Sequence, residues 1–338
     1  MKKQARFWQP QKDNIVQCML CPHTCTLKPE NHGICGVRTN QSGKLYSLIY
    51  GSCSSISVDP IEKKPLYHFL PGSSAFSIGS VGCSFTCAHC QNYSISTAKP
   101  AHYQMQELTS EEAVSLAQEN NCQSISFTYN EPTIWHEYSF DTAKQAKKQG
   151  LFTSYVTNGY INEDPLREIA PYLDAMNIDV KAFHEDFYHN VCKAQLQPVL
   201  QTCMLAKTLG IHIELTYLVI PTMNDSIEEI TKFCTWVVEQ LGNNIPVHFT
   251  RFHPDYKMAN LFATPIDTLK NIYEVAKQSE INFPYLGNAP SLEHENTFCP
   301  KCNNLLIERS GFSTNIIGLN KNKCKKCGVE MPIVIDQS

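Results

Sequence analysis

From residue 75 onward, short runs of β-branched and aromatic residues alternate with longer stretches whose apolar positions recur at helical spacing. The short runs predict strands over residues 75–81, 124–129, 152–156, 175–180, 212–219 and 247–251, with a seventh candidate at 281–286. Helices fit the gaps. Thr109-Ser110-Glu111-Glu112 reads as a capping box opening a helix through Glu119, since the Thr oxygen and the Glu carboxylate satisfy each other's free amide groups. A second helical pattern covers 135–148 and stops at Gly150, and others cover 165–172, 198–209, 226–241 and 265–278. Such alternation signals βαβ units and a parallel sheet. Repetition alone leaves open a partial barrel, a closed barrel or a doubly wound sheet.

The ends of the chain differ in character. Three cysteine groups divide the 338 residues. Cys18-x2-Cys21-x3-Cys25-x9-Cys35 precedes a strand-rich stretch at 45–58. Cys83-x3-Cys87-x2-Cys90 follows the first predicted strand of the α/β region. Cys299-x2-Cys302 and Cys324-x2-Cys327 lie near the C-terminus. The expected organisation is a cysteine-rich appendage over 1–70, a central domain over 71–292 and a small tail over 293–338. Cys53, Cys122, Cys192, Cys203 and Cys234 read as buried small apolar residues.

Apolar residues make up 42% of the chain, enough for a sizeable core. No run approaches the roughly 18–20 apolar residues that span a membrane, and the first ten residues carry no signal-peptide pattern. A soluble, cytoplasmic protein is expected, in which many cysteines imply metal or catalysis rather than disulfides. Residues 1–50 hold seven Lys/Arg against two Asp/Glu, and residues 299–338 six against three, although the whole chain is at −4. Both basic ends are cysteine-rich, so these charges can offset thiolate-bound metal. With a pI near 6.3, binding to nucleic acid is not expected.

The middle triplet carries the sharpest chemistry. A cubane [4Fe–4S] cluster that only moves electrons takes four thiolates. Three leave one iron open to a ligand. The C-terminal four read as a zinc ribbon, two knuckles each presenting two thiolates from a tight turn to one tetrahedral ion. For Cys18, Cys21, Cys25 and Cys35, zinc and a second iron–sulfur cluster stand level. Functional groups of parallel α/β folds gather at strand C-terminal ends. That rule singles out Asn130 and Glu131, Asn158, Asp179 and Lys181, and His253, which lies further past its strand than the core-like His248.

The run Val81-Gly82-Cys83-Ser84-Phe85-Thr86-Cys87-Ala88-His89-Cys90 resembles the radical S-adenosylmethionine (SAM) superfamily, with His89 where an aromatic residue usually stands. The resemblance implies a partial (β/α)6 TIM-type barrel with small cysteine-rich appendages. It also implies a [4Fe–4S] cluster on Cys83, Cys87 and Cys90 whose open iron binds SAM, and an external electron donor of flavodoxin or ferredoxin type. SAM is a zwitterion with a ribose. It needs a carboxylate, a cation and hydroxyl partners, the types that Glu131, Lys181, Asn158 and Asp179 offer. Glu131 matches the acidic residue of the family's Gly-Gly-Glu motif, with Tyr129-Asn130 replacing the glycines. Asp179, Lys181 and His253 match residues of glycyl-radical-enzyme activators.

Cys18-Met19-Leu20-Cys21-Pro22-His23, Gly33-Ile34-Cys35-Gly36-Val37-Arg38, Asp59-Pro60-Ile61-Glu62-Lys63-Lys64-Pro65-Leu66 and Thr128-Tyr129-Asn130-Glu131-Pro132-Thr133 resemble the pyruvate formate-lyase activating enzyme-related branch. Within it they are most similar to AmmeMemoRadiSam-system radical SAM enzymes, as are Phe249-Thr250-Arg251-Phe252-His253-Pro254-Asp255-Tyr256 and Gly287-Asn288-Ala289-Pro290. That resemblance implies association with Memo-type and AMME-type proteins. The expected activity is reductive SAM cleavage to a 5′-deoxyadenosyl radical that takes hydrogen from a substrate, a protein glycine being one candidate. Alternatives are modification of a small molecule or RNA, or a binding protein stapled by structural metal.

Overall fold

The computed structural model describes residues 1–289 and 293–335. An eight-stranded sheet forms its centre. The strands are β1 (Ser55–Pro60), β2 (Ser74–Gly79), β3 (Ser124–Phe127), β4 (Phe152–Thr157), β5 (Ala175–Asp179), β6 (His212–Val219), β7 (Val247–Arg251) and β8 (Pro284–Gly287). They lie side by side in that order, with β2 to β8 parallel and β1 antiparallel to β2. Among the described residues β1 and β8 do not pair, so the sheet stays open. The six predicted strands and the seventh candidate all form, and the α/β class is as expected. The six-unit pattern gains one strand at each end.

Six helices connect the parallel strands: α1 (Ser110–Glu119), α2 (His136–Lys148), α3 (Glu163–Ile169), α4 (Leu196–Thr208), α5 (Ile227–Trp236) and α6 (Ile266–Gln278). The α1 capping box closes as read, with Glu112 N donating to Thr109 Oγ1 at 3.1 Å and Thr109 N to Glu112 Oε2 at 2.8 Å. The helical pattern read over 226–241 ends differently. Its last turn, Val237–Leu241, widens to a π-helix before Gly242 reverses the chain.

Register decides what faces the inside. Asn177 lies beside Glu214, Asp179 beside Thr216, Thr216 beside His248, and Thr250 beside Gly287. Alternate residues share a face, so these polar groups line one side of the sheet. Glu214 is fully buried there. Its two oxygens accept from Tyr67 N (2.9 Å), His68 N (2.7 Å), His212 Nε2 (3.0 Å) and His248 Nε2 (2.7 Å). Burial opposes the charge, but the two histidines hold the carboxyl well below its usual range. The segment before β2 is thereby drawn beneath the sheet.

The boundary expected at 70/71 therefore does not separate the units: β1 belongs to the central sheet, and Tyr67 and His68 plug it. The boundary at 292/293, with Pro290, lies outside the described residues. The tail packs its Cys299, Leu306, Ile307 and Met331 against Tyr67, Phe283 and Tyr285. Arg309 donates to the Tyr67 carbonyl at 2.7 Å and to Thr297 Oγ1 at 2.8 Å. At the other end, buried Arg38 forks onto Glu137 of α2 at 2.8 and 3.0 Å. Both appendages are locked to the barrel by buried polar contacts.

Glu214→Gln should lower the unfolding free energy by about 2–4 kcal/mol, since an amide cannot accept from all four donors. Because the carboxyl is depressed in the folded protein, its contribution is complete above pH 4.5, the ordinary Glu value. It is lost as the pH falls below that value. Urea unfolding at pH 7 and at pH 4 measures both effects, and a loss under about 1 kcal/mol at pH 7 would remove Glu214 from this role.

Candidate active site

The loop after β2 is set by contact. Gly82 has φ +86°, and a Cβ there would meet the Cys35 carbonyl oxygen and Val37 at 2.7 Å. Only glycine fits both demands. Asn130 clamps the loop from β3, its Oδ1 accepting from Ser80 N at 3.0 Å and its Nδ2 donating to Gly82 O at 3.1 Å. Farther along, Thr86 N and Ala88 N donate to the carbonyls of Cys192 and Val191. Asn130, expected to touch cofactor, is thus already engaged in holding this loop.

Cys83, Cys87 and Cys90 open onto a cavity of about 760 Å³ that also reaches Glu131, Asn158, Asp179 and Lys181. The strand-end rule brings together every predicted group except His253. That ring is exposed and lies outside the cavity lining, with Gln91 Nε2 donating to its Nε2 at 2.9 Å. His248, read as core-like, lines the cavity floor while bonded to Glu214.

Burial raises the Cys83 and Cys90 thiols above their ordinary value, and for Cys83 the charge of Glu131 and the other two thiols adds to it. Cys87 is raised first by its contact with Cys192 and then by burial. Thiols clustered this way ionise readily only against a bound cation. Their sulfurs do not all lie within 4.8 Å of one another, which is too open for one tetrahedral ion. The set suits a cluster with several irons.

The surrounding polar groups line the same cavity. His89 is buried, lines the cavity, and has no hydrogen-bond partner on either ring nitrogen among the described residues. Burial and the charge of Lys181 push its pKa down to about 3, leaving a neutral flat ring. Lys181 Nζ pairs with Asp179 Oδ2 at 2.6 Å. Although burial disfavours its charge, Asp179 and Cys87 keep the ammonium above its ordinary value. Glu131 is raised by burial against three donors: Asn158 N (2.8 Å), Thr133 N (2.9 Å) and Thr157 Oγ1 (2.7 Å). Asn158 Nδ2 reaches Ser84 Oγ at 3.1 Å and Cys83 Sγ at 3.7 Å. The Asn158-Gly159 pair thus buttresses the cysteine loop.

Sequence reading missed one wall. Lys64 is buried, lines the cavity, and gives Nζ to Asp59 Oδ2 at 2.6 Å; the same oxygen accepts from Tyr129 OH at 2.6 Å. Burial lowers Lys64 to about 8 despite that partner. Tyr129 takes φ 72°, a conformation in which glycine is usual, so the backbone course persists and the side chain is spent on Asp59. Glu62 also faces the cavity, with Oε2 buried and unpartnered among the described residues. The run over residues 59–66 carries a family resemblance, but Glu-Lys-Lys within it ordinarily marks a solvated face, so neither side chain reads as part of the site.

The tail adds Glu295, Gly311 and Phe312 to the same cavity. Its four sulfurs lie within 4.8 Å of one another, with Cys299–Cys327 and Cys302–Cys324 both at 3.6 Å. That spacing fits one tetrahedral zinc.

Comparison with known proteins agrees with this geometry. The radical SAM superfamily profile matches residues 77–234, and a zinc-ribbon family described as RNA polymerases M/15 Kd subunit matches 297–334. An uncharacterized protein of Methanocaldococcus jannaschii is 44% identical over 98% of this chain and its own whole length. A pyruvate formate-lyase-activating enzyme of Clostridium pasteurianum is 22% identical over 58% of this chain and 87% of its own. The crystal structure of Streptococcus suis SuiB bound to S-adenosylmethionine shares the fold, with TM-score 0.51 and 13% identity over 68% of this chain and 53% of its own. Three thiols opening onto a cavity at the strand ends of an open parallel sheet fit the class, and this chain belongs to the radical SAM superfamily. Among its relatives are enzymes that activate pyruvate formate-lyase.

Cys302→Ser with Cys324→Ser should remove about one zinc per chain and leave iron unchanged. The hairpin Leu305–Ser310/Ser313–Ile316 should then become protease-sensitive. Metal analysis with limited proteolysis tests this; iron falling instead of zinc would mean a cluster occupies the tail.

Proposed function

We propose that this protein cleaves SAM reductively and uses the resulting 5′-deoxyadenosyl radical to take hydrogen from a protein or peptide segment. One observation carries the first part: three thiols, the His89 ring, unpartnered among the described residues, and the Asp179–Lys181 pair converge on one cavity. When bound and reduced, a cluster on Cys83, Cys87 and Cys90 supplies the electron that splits the sulfonium bond.

The residues of the chain bind and orient. Lys181, held as a cation, suits the methionyl carboxylate, and Glu131, lining the same cavity, is the carboxylate for the ammonium. Asp179 and Asn158 present acceptors and a donor for the ribose, and His89 offers a flat neutral ring for the adenine. His253 lies outside the cavity and hydrogen-bonds Gln91, which lines it.

A polypeptide substrate fits the far side. There Gly287 of the end strand β8 and Gly311 and Phe312 of the tail hairpin line the cavity, and Phe312 is 57% exposed. An extended segment can lie along such an edge and close the cavity to water. A protein glycine, as in the activating-enzyme relatives, and Memo-type or AMME-type partners are the family-level candidates. A flavodoxin- or ferredoxin-type carrier is the electron source.

Anaerobically reconstituted, reduced protein should convert SAM to methionine and 5′-deoxyadenosine, and Ala at Cys83, Cys87 or Cys90 should abolish this. Turnover persisting in all three variants would overturn the assignment. For the substrate, deuterated cell extract split by size should pass label into 5′-deoxyadenosine from the protein fraction. Label arriving from the small-molecule fraction alone would sink the polypeptide reading while leaving SAM cleavage standing.

A further inference from the structure

The four N-terminal cysteines remain without a role. Cys18 ends the strand Val16–Cys18, Cys21 and Cys25 lie on the turn beyond it, and Cys35 lies just before Arg38. All four line one small pocket, together with Gly33 and Arg38. A Cβ on Gly33 would stand 3.7 Å from both Cys25 Sγ and Cys35 Sγ, so the glycine leaves room where the thiols converge.

Among the described residues, no three of these sulfurs lie within 4.8 Å of one another, whereas all four tail sulfurs do. A zinc ion with Zn–S near 2.3 Å would gather its thiolates to within about 4 Å of each other. The wider set matches the Cys83 triplet rather than the tail. Four thiolates set wider apart than one tetrahedral ion draws them are the donor set of a cubane, each binding a different iron. Arg38, buried at the pocket wall, supplies a cation beside it.

The pocket also abuts the active site. Ser84 forms part of its wall, and His23 Nε2 donates to the Ser84 carbonyl at 2.7 Å. The Cys35 carbonyl packs against Gly82, the residue before Cys83. Asn158 touches Ser84 and Cys83 together. Both cysteine sets therefore share one layer of main chain. On the outer side, Ile34 between these ligands is 56% exposed, and residues 1–50 as a whole carry seven Lys/Arg against two Asp/Glu, an excess that attracts an acidic carrier.

We propose that Cys18, Cys21, Cys25 and Cys35 hold a second [4Fe–4S] cluster that relays electrons to the cluster on Cys83, Cys87 and Cys90. The relay rests on the function proposed above; the cluster itself does not. A reduced flavodoxin- or ferredoxin-type carrier gives up one electron, the N-terminal cluster accepts it, and the same electron passes inward. No bond forms or breaks in the relay, and each transfer leaves the donor oxidised by one.

The full chain, reconstituted without oxygen, should hold about eight iron and one zinc. Replacing Cys83, Cys87 and Cys90 together by Ala should leave about four iron and an EPR signal that SAM does not alter. Replacing Cys18 and Cys21 by Ser should leave the complementary, SAM-sensitive signal. In that variant, the ratio of flavodoxin-driven to dithionite-driven SAM cleavage should fall at least tenfold. Four iron and two zinc in the wild-type chain would overturn the cluster. Eight iron with an unchanged ratio of rates would overturn the relay. If the Cys18/Cys21 variant does not fold, the triplet variant still decides the cluster: zinc in place of its remaining iron refutes it. SAM cleavage failing while eight iron are present would count against the proposed function and not against this site.

Discussion

Glu214 is the constraint on which much of the rest depends. A buried carboxylate with four donors around two oxygens has little freedom to move, and removing a donor would leave a buried charge short of one hydrogen bond. Its two backbone partners, Tyr67 and His68, draw the preceding segment beneath the sheet. That placement carries Lys64 to the cavity wall. His68 in turn bonds Tyr285 OH at 2.7 Å, and Tyr285 OH meets Thr297 Oγ1 at 2.8 Å, so the same network reaches the tail. Plug, barrel and tail are coupled through one charge.

Charge is handled differently at each level of the cavity. Beneath it, Glu214 is held ionised by histidines. On its wall, Asp59 balances Lys64, and near the cysteines Asp179 balances Lys181. Buried pairs of this kind are costly when broken and modest when intact. Their value here is orientation, because each fixes a long side chain against the cavity wall. His89 is the exception, desolvated and unpartnered among the described residues.

The tail cysteines and the triplet differ in shape as well as in spacing. The tail sulfurs gather closely enough for a single ion, while the triplet stays wider. The reason lies in what each backbone rests on. The tail knuckles are tight turns of a small sheet, whereas the triplet loop is stretched between the Asn130 clamp and the carbonyls of Val191 and Cys192.

Much of this was legible in sequence. Alternating apolar patterns located every parallel strand, since strands buried on both faces must be apolar and β-prone, and the capping box marked α1 to the residue. The triplet and the strand-end rule collected Glu131, Asn158, Asp179 and Lys181 because parallel strands necessarily end on one side. Sequence could not show that β1 joins the central sheet, that Glu62 and Lys64 turn inward, or that Phe312 of the tail reaches the cavity. Those follow from long-range contacts: Glu214 with Tyr67, Arg309 with the Tyr67 carbonyl, and Asp59 with Tyr129. His253 shows the converse, a strand-end histidine that the turn of the chain leaves outside. Local pattern determines which elements form and where their ends lie, because propensity and burial periodicity act over a few residues. Which charged side chain finds a buried partner depends on groups far along the chain, and only the folded protein brings them together.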